Sequence, residues 1–318
     1  MQGRLHRLGR QVHVVRRGRV VLLMLFLWSF HPVAVGAALT IGARRIRPRL
    51  EPRSRVGSVR DLEVLKSLAW AGYLSTTQLR RLHFPSIRTT QRRLRALVDH
   101  GLVRAHLQGS ALHLENVFTL GQAGVARLEA VGLVGVRSGR IPRFQKLKHG
   151  MTIRDVFVAF VLAEWAQAFT LADFRFDADL ASEAVFRDAH LVPDALAILD
   201  RSATVHVVGC EVDLGTETTT TLRAKFTTWR ELRVGPLCGA RLFVVANTHA
   251  RAETCRRIAA VVACEATVAC LDELRDDPMP LITNLCGNPV RAERIGRPVQ
   301  VAEISDFEPV HPPAFRAK

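Results

Sequence analysis

The stretch from Arg60 to Gly124 constrains the fold of this chain most strongly, because its helix and turn signals occur at helix-turn-helix spacing. An amphipathic segment over residues 61–74 predicts a first helix. Ser75 and Ser86 are residues that can cap a second helix through Leu82 and a third helix beyond the following turn. The positions predicted to face inward on the third helix recur at 3.6-residue spacing, and they are Thr90, Leu94, Leu97 and Val98.

A pair of alternating segments follows the third helix, which is predicted to end at Gly101. Residues 102–107 and 112–120 alternate as the strands of a hairpin do, with Gln108-Gly109-Ser110 as the predicted turn. A further helix is predicted over residues 119–131. Three helices followed by a hairpin is the order of a winged helix-turn-helix, so residues 59–132 are predicted to form a winged-helix DNA-binding domain.

The third helix is basic on the side opposite its apolar face. A helix fits the major groove, where arginine can pair with guanine through two hydrogen bonds or neutralise a phosphate. The residues predicted to contact duplex DNA from this helix are Arg88, Thr89, Arg92 and Arg95. Further arginines predicted to follow the phosphate backbone are Arg80, Arg81, Arg93 and Arg104. The alternative is a winged helix that contacts proteins and leaves these arginines solvated.

The positive charge is concentrated in the first half of the chain. The net charge is +16, yet residues 1–55 contain twelve arginines and a single acid, whereas residues 149–318 are net negative. This distribution places the polyanion-binding surface in the first half. A GC-biased coding sequence, which is rich in arginine codons, offers a less specific explanation for part of this charge.

The N-terminal 58 residues are predicted to be a basic and hydrophobic extension followed by a linker. The run over residues 20–43 is largely apolar and follows six arginines, as in a signal peptide or signal anchor. Two interpretations stay open, a membrane-tethered cytoplasmic protein or a start codon placed too far upstream. The six cysteines include no Cys-x-x-Cys pair, which favours reduced thiols and a cytoplasmic location.

A second domain with three-layer α/β architecture is predicted over residues 149–275. A strongly apolar helix is predicted over residues 153–169. The strand candidates after it are residues 183–187, 194–199, 204–213 and 241–246, and the helix candidates are residues 217–233 and 250–263. Proline and charge predict an irregular tail over residues 276–318.

Carboxylates at strand ends are the candidate chemical groups of this second domain. Asp194 opens one strand, and Glu211 and Asp213 close the next, where strand alternation places both on one face. Three such carboxylates could hold a Mg²⁺ ion and activate water against a phosphodiester. The alternative is a structural network of strand caps and ion pairs with Arg223 and Lys225.

The pattern Pro193-Asp194 with Glu211-Val212-Asp213 resembles the PD-(D/E)XK nuclease core, which has a restriction-endonuclease-like fold. In that resemblance Asp194 and Glu211 match the two metal-binding acids. The family's lysine position is occupied here by Asp213, and Lys225 on the following helix could take its place by projecting back over the sheet.

A wider set of motifs resembles the replication-relaxation family of bacterial plasmids and integrative elements, over roughly residues 59–246. The matching pieces are Asp61-x-x-Val-Leu, Gln78-Leu79, Arg92-Arg93-Leu94-x-x-Leu97, Gly101-Leu102-Val103, Phe118-Thr119-Leu120-x-x-x-Gly124, His149, Pro193-Asp194, Glu211-Val212-Asp213-x-Gly-Thr-Glu217 and Lys225. The single pieces are common, whereas their combination is specific. The resemblance implies a role in plasmid replication and in relaxation of plasmid DNA.

Three functional hypotheses follow from these patterns. The first is a non-enzymatic protein that binds double-stranded DNA, as a homodimer on a repeated site, with relaxase or replication proteins as partners. The second is a Mg²⁺-dependent endonuclease or nickase that uses Asp194, Glu211, Asp213 and Lys225. The third is a membrane-tethered transcription regulator, which depends wholly on residues 20–43.

Overall fold

A mixed α+β architecture organises the described part of the chain. The computed structural model describes residues 6–8, 11–16, 19–23, 44–45, 47–49, 51–52, 54–107, 115–142, 144–201 and 204–286. These residues divide into a small N-terminal unit, up to Arg44 and including Leu107, and a large unit that contains the rest.

The N-terminal unit contains a three-stranded antiparallel sheet. Its strands are β1 (His6–Leu8), β2 (Gln11–Arg16) and β3 (Arg19–Leu23), in that spatial order. Residues 20–23, the start of the apolar run, therefore lie in a strand, and residues 24–43 are outside the described part. Among the described residues, no helix has the length and apolar character needed to cross a membrane. A two-residue strand, β4 (Arg44–Arg45), follows.

The first part of the large unit contains the helices that the sequence predicts. Its elements are α1 (Val59–Ala71), β5 (Tyr73–Ser75), α2 (Thr76–His83), α3 (Ile87–Asp99), β6 (Val103–Leu107), β7 (Val117–Leu120) and α4 (Gln122–Glu129). The central strand β7 pairs antiparallel with both β5 and β6. The predicted turn at residues 108–110 lies outside the described residues.

Side-chain caps set the starts of α2 and α3 as the sequence predicts. Ser75 accepts the Gln78 amide hydrogen at 3.1 Å, and the Gln78 side chain accepts the Ser75 amide hydrogen at 2.9 Å, which completes a capping box. Ser86 accepts the Thr89 amide hydrogen at the start of α3. Gly101 has a φ of +68° just beyond α3, a conformation that glycine adopts without strain.

The second part of the large unit begins with a long helix and builds a five-stranded sheet. The elements are α5 (Phe144–Trp165), β8 (Thr170–Phe176), α6 (Asp177–Leu180), α7 (Ala184–Asp188), β9 (Ala195–Arg201), β10 (Thr204–Asp213), α8 (Thr219–Val234), β11 (Arg241–Ala246), α9 (His249–Val261), β12 (Ala266–Cys270), α10 (Leu271–Asp276) and α11 (Pro278–Cys286). The strand order is β12-β11-β10-β9-β8, with β10, β11 and β12 parallel and the remaining pairs antiparallel.

Strand alternation places two apolar layers on opposite faces of this sheet. On β11, Leu242 and Val244 belong to one buried cluster, and Phe243 and Val245 belong to the other. Helices α8 and α9 pack on the first face, whereas α5 contributes to the cluster on the second face. The sheet is therefore covered by helices on both sides.

Several predictions about secondary structure are wrong. The strand predicted over residues 183–187 is the short helix α7, in which Phe186 alone is buried, because so short a run has no decisive periodicity. Strand β8 was not predicted, and the strand-like segment predicted after residue 263, where β12 lies, was given no bounds. The tail predicted to be irregular from residue 276 contains α11, whose Ile282 and Leu285 are buried in the core.

The two parts of the large unit share one core. The ring of Trp70 on α1 contacts Phe157 on α5 edge-on, with ring centroids 5.2 Å apart. The Trp70 indole also donates a hydrogen bond to the carbonyl oxygen of Phe174 at 3.0 Å. This continuity holds the first helices against the α/β layer, and it determines which surface of α3 faces outward.

Candidate functional site

Helix α3 has a buried face and a basic exposed face. Thr90, Leu94, Leu97 and Val98 are buried, as the 3.6-residue spacing predicts, and the three apolar ones belong to the core cluster. Arg88 and Arg92 are exposed on the other side of the helix. Within the described part of the chain, neither of these guanidinium groups has an ion-pair or hydrogen-bond partner. They are the cations of α3 that are available to a ligand.

Two other arginines predicted to contact DNA, Arg93 and Arg95, are engaged with acidic groups of the protein. Arg93 pairs with the buried Asp61 at the start of α1, and Arg95 Nη2 lies 2.8 Å from an Asp99 oxygen. Burial opposes ionisation of Asp61, but hydrogen bonds from Arg93 and from the backbone of Gly57 and Ser58 hold its pKa below the ordinary value. These pairs stabilise α1 and α3, so the two arginines have less freedom to reach a phosphate.

Arg81 lies in the contact between α2 and the α/β layer. Its side chain is 10% exposed, and its Nη1 lies 3.9 Å from Asp155 Oδ1 on α5. Gln78 on the same helix donates a hydrogen bond from Nε2 to Asp155 Oδ1 at 2.9 Å. This geometry anchors α2, whereas the predicted contacts of Arg81 with DNA stay a prediction.

The remaining predicted contacts differ in accessibility. Arg80 on α2 and Arg104 on β6 are half-buried. The Thr89 hydroxyl accepts a hydrogen bond from Ser86 Oγ at 3.0 Å, within the cap of α3. The exposed basic surface next to this cap therefore consists mainly of Arg88 and Arg92.

A second cluster of charged residues surrounds Glu211, near the end of β10. Its Oε2 accepts a hydrogen bond from Lys225 Nζ at 3.0 Å, and its Oε1 accepts one from the Trp229 indole at 3.0 Å. Lys225 also donates to Glu217 Oε1 at 2.9 Å. Lys225 thus projects from α8 back over the sheet and joins two carboxylates.

The electrostatics of this cluster follow from its burial. Burial, and then the charge of Asp194, raises the pKa of Glu211 above its ordinary value, although Lys225 and Trp229 oppose the shift. Burial opposes the charge on Lys225, but the adjacent Glu211 and Glu217 raise its pKa. The lysine is therefore held as a cation and is unsuited to act as a base near neutral pH.

Asp194 and His149 bind the two backbone groups of Val212, the amide and the carbonyl. The Val212 amide donates to Asp194 Oδ2 at 2.7 Å, and His149 Nε2 donates to the Val212 carbonyl oxygen at 3.1 Å. The same His149 nitrogen lies 3.4 Å from Asp194 Oδ2. The hydrogen bond with Asp194 raises the pKa of His149, and its charge adds to the shift. Asp194 thus extends the β9–β10 pairing beyond the backbone ladder.

Asp213 lies on the same face of β10 as Glu211 but has separate partners. Arg251 Nε lies 2.5 Å from its Oδ2, the Cys255 thiol lies 3.6 Å from that oxygen, and Gly215 donates its amide hydrogen to Oδ1 at 2.8 Å. Burial raises the pKa of Cys255 to about 12, with the charge of Asp213 adding to it. This thiol is therefore inert at neutral pH.

These contacts decide how well the acids would suit a metal ion. The oxygens of Glu211 bind Lys225 and Trp229, and Asp213 binds Arg251, so the predicted trio has no common set of unoccupied oxygens. Across the described ranges, no three His, Cys, Asp or Glu side chains are arranged to hold a metal ion. In this arrangement the residues do not fit a Mg²⁺ site, and the arrangement is that of a structural network.

Two members of the network were not predicted from the sequence. Trp229 lies one helical turn after Lys225, and this i,i+4 spacing was a usable signal that both would face the same strand residue. Arg251 is far from Asp213 in sequence, and no local pattern indicates their pairing. Arg223, the alternative to Lys225, is exposed on α8.

Comparisons with known proteins include a family model that matches more than half of the chain. A family model described as replication-relaxation matches residues 65–243. No curated protein matches the chain. Among solved structures, the restriction endonuclease FokI is similar with 12% sequence identity and a TM-score of 0.25, over 71% of this chain and 44% of that one. This chain thus spans less than half of the FokI chain, and the similarity is too low to support a shared fold.

Proposed function

The chain belongs to the replication-relaxation family, and from this premise we propose that it binds duplex DNA of a plasmid or integrative element. The protein acts in replication of that element and in relaxation of its DNA. The observation that supports this proposal is the exposed face of α3, where Arg88 and Arg92 are available to a polyanion. The order of α1, α2, α3, β6 and β7 supports a winged-helix interpretation of the binding unit.

The arginines of α3 differ in whether the protein compensates their charge. Arg93 and Arg95 are paired with carboxylates, so their charges are largely compensated within the protein. Arg88 and Arg92 have no such compensation among the described residues, and they project from a helix anchored by its opposite face. A rigid helix with two accessible guanidinium groups suits the major groove, where arginine pairs with guanine.

Replacing Arg92 with alanine is expected to weaken binding to the preferred DNA fragment about tenfold or more, since one bidentate contact with guanine is worth about 1–3 kcal/mol. The measurement is fluorescence anisotropy with fragments tiled across the element that encodes the protein. Arg257→Ala removes an exposed arginine from α9 and serves as the matched control, which is expected to bind as the wild type does.

The salt dependence provides an independent check of the same proposal. Affinity for DNA should fall steeply with salt, because each neutralised phosphate releases bound cations. An affinity that does not change with salt, or an Arg92→Ala variant that binds as well as Arg257→Ala does, would contradict the proposal.

Further parts of the proposal concern partners and location. A homodimer would place two α3 helices on a repeated DNA site, and relaxase or replication proteins would act on the same DNA. Duplex DNA as the partner implies a cytoplasmic location. Sedimentation of the protein with and without a repeated site would determine whether it is a dimer.

The sequence also raises metal-dependent nicking of DNA, with a nuclease-like fold in the second part of the chain, and we infer that the contacts of the acids make it the weaker candidate function. One observation favours it, because Lys225 Nζ lies 3.0 Å from Glu211 Oε2, as it would if Lys225 substituted for the lysine that the nuclease motif has at the position of Asp213. The pairing of Asp213 with Arg251 opposes it.

A nickase would convert supercoiled plasmid to the open circular form in the presence of Mg²⁺ and would lose this activity on Asp194→Ala. We expect no conversion by the wild-type protein, since the acidic oxygens are already engaged with protein groups. Agarose electrophoresis measures the conversion of supercoiled to open circular plasmid, with EDTA and Arg257→Ala as controls. Nicking that requires both Mg²⁺ and Asp194 would establish the enzyme instead.

A further inference from the structure

We propose that a groove between the start of α1 and helix α3 binds a phosphate group of the DNA backbone, with Arg60 as its principal ligand. This inference rests on the proposed function and extends it to a residue outside the predicted contacts. The groove has a volume of about 490 Å³. The residues that line it, here called the α1–α3 groove, are Ser54, Ser58, Val59, Arg60, Phe84, Thr89, Arg92, Arg93 and Ala96.

The charge of the α1–α3 groove comes from two arginines. Asp61 is the acid at this end of α1, and it is buried and bonded to Arg93 and to the amides of Gly57 and Ser58. The Arg93–Asp61 pair is thus internally compensated. Arg60 and Arg92 are exposed, and among the described residues neither forms an ion pair. The groove therefore has an uncompensated positive charge.

The side chain of Arg60 is held in place by an aromatic ring. Its guanidinium carbon lies 5.9 Å from the centroid of the Phe84 ring. Phe84 is buried in the turn between α2 and α3, so its position is determined by the core. A guanidinium over an aromatic face is favourable and restricts the side chain, which reduces the entropy lost when a ligand binds.

The location of the α1–α3 groove matches a phosphate that flanks the major groove. Arg92 belongs both to the exposed face of α3 and to the lining of the groove. In helix-turn-helix proteins the recognition helix enters the major groove while the first helix crosses the backbone beside it. With α3 in the major groove, the start of α1 lies beside the sugar–phosphate chain, and Arg60 is the cation at that position.

The test uses the full-length protein and anisotropy titrations over a range of salt concentrations. The two probes are the preferred plasmid fragment and a mixed-sequence duplex of equal length. The variants are Arg60→Ala, Arg60→Lys, Arg92→Ala and the control Arg257→Ala. A phosphate contact carries no sequence information, so Arg60→Ala should weaken binding to both duplexes by the same factor. Arg60→Lys keeps the charge but loses the stacking of the guanidinium on Phe84, so it should bind more tightly than Arg60→Ala and less tightly than the wild type.

Salt provides the quantitative prediction. Because one phosphate contact contributes about 0.9 to the slope of log affinity against log salt, the defect of Arg60→Ala should shrink about threefold between roughly 50 and 200 mM salt. The Arg257→Ala control should show no defect at any salt concentration. Circular dichroism of each variant checks that the fold is retained.

The outcomes separate this inference from the proposed function. If Arg92→Ala weakens binding while Arg60→Ala binds both duplexes as the wild type does, the phosphate site is refuted and the proposed function stands. If Arg60→Ala loses affinity for the preferred fragment alone, Arg60 contacts a base and the phosphate assignment is wrong. If the wild-type protein binds no duplex even at low salt, both proposals fail.

Discussion

Replacement of Asp155 by alanine is expected to lower the free energy of unfolding by about 3 kcal/mol, near the lower end of the range for breaking a buried ion pair. The Asp155 side chain is 6% exposed. It accepts hydrogen bonds from Arg275 Nη2 at 2.7 Å and Gln78 Nε2 at 2.9 Å, and it lies beside Arg81. Alanine would remove the carboxylate from these groups, although Gln78 Nε2 would keep its hydrogen bond to the Met151 carbonyl oxygen. The lower end of the range for a buried ion pair applies because Arg275 is 48% exposed and can bind water in place of Asp155.

Urea denaturation followed by circular dichroism measures this loss. Asp272→Ala is the matched control, because Asp272 is an exposed acid on α10 and its removal should change stability by no more than about 0.5 kcal/mol. Arg275→Ala should have a smaller effect than Asp155→Ala, since Asp155 would keep Gln78 and Arg81. A loss below about 1 kcal/mol for Asp155→Ala would show that the bonds of Asp155 contribute little to the anchoring of α2.

Alanine in place of Gly209 is expected to destabilise the protein by about 3 kcal/mol through overpacking of the core. A Cβ atom at this position on β10 would lie 2.0 Å from Trp229 Cη2 and 2.6 Å from Trp229 Cζ2. Trp229 is fully buried on α8, and its indole nitrogen is bonded to Glu211. The ring therefore cannot move aside without breaking that hydrogen bond.

A double-mutant cycle with Trp229→Phe tests this explanation. Phenylalanine lacks the second ring, so it should leave room for the new methyl group, although Trp229→Phe alone costs about 1–3 kcal/mol through the lost bond to Glu211. The combined variant should be more stable than the sum of the two losses implies, by at least about 1 kcal/mol. If the losses of the two single variants simply add in urea denaturation, the Gly209→Ala effect does not come from contact with the Trp229 ring and has another cause, for example the strand backbone.

Local signals in the sequence were sufficient for the helices of the first part and for several strands. Ser75 and Ser86 cap α2 and α3 as predicted, because a hydroxyl capping an amide within three residues is a short-range interaction. Strand β10 has the predicted bounds, since it is an apolar run with clear ends. The helix α7 was mistaken for a strand, because a few residues without periodicity fit either state.

The candidate DNA-contacting residues were only partly predictable. The sequence indicates which arginines lie on one face of α3, since helical spacing determines this. It does not indicate that Arg93 would pair with Asp61, because that contact joins two helices. Arg60 was not predicted as a contact, since its place in the α1–α3 groove depends on how α1 packs beside α3.

The acidic residues of the second part were also only partly predictable from the sequence. Strand alternation predicted that Glu211 and Asp213 share a face, and the prediction that Lys225 could project back over the sheet agrees with its bond to Glu211. Whether these acids form one set of ligands or two separate ion-paired groups depends on Trp229 and Arg251. Those residues come from helices whose positions the strand pattern does not specify.

The sequence alone determined helices α1 to α3, the caps of α2 and α3 and the alternation of faces along β10, because each depends on residues a few positions apart. The tertiary structure decided which charges are compensated within the protein and which are left on its surface. The physical reason is that a charge is neutralised by whichever group packing brings within a few ångströms, and residues such as Asp155 and Arg275, far apart in the chain, meet only when the core assembles.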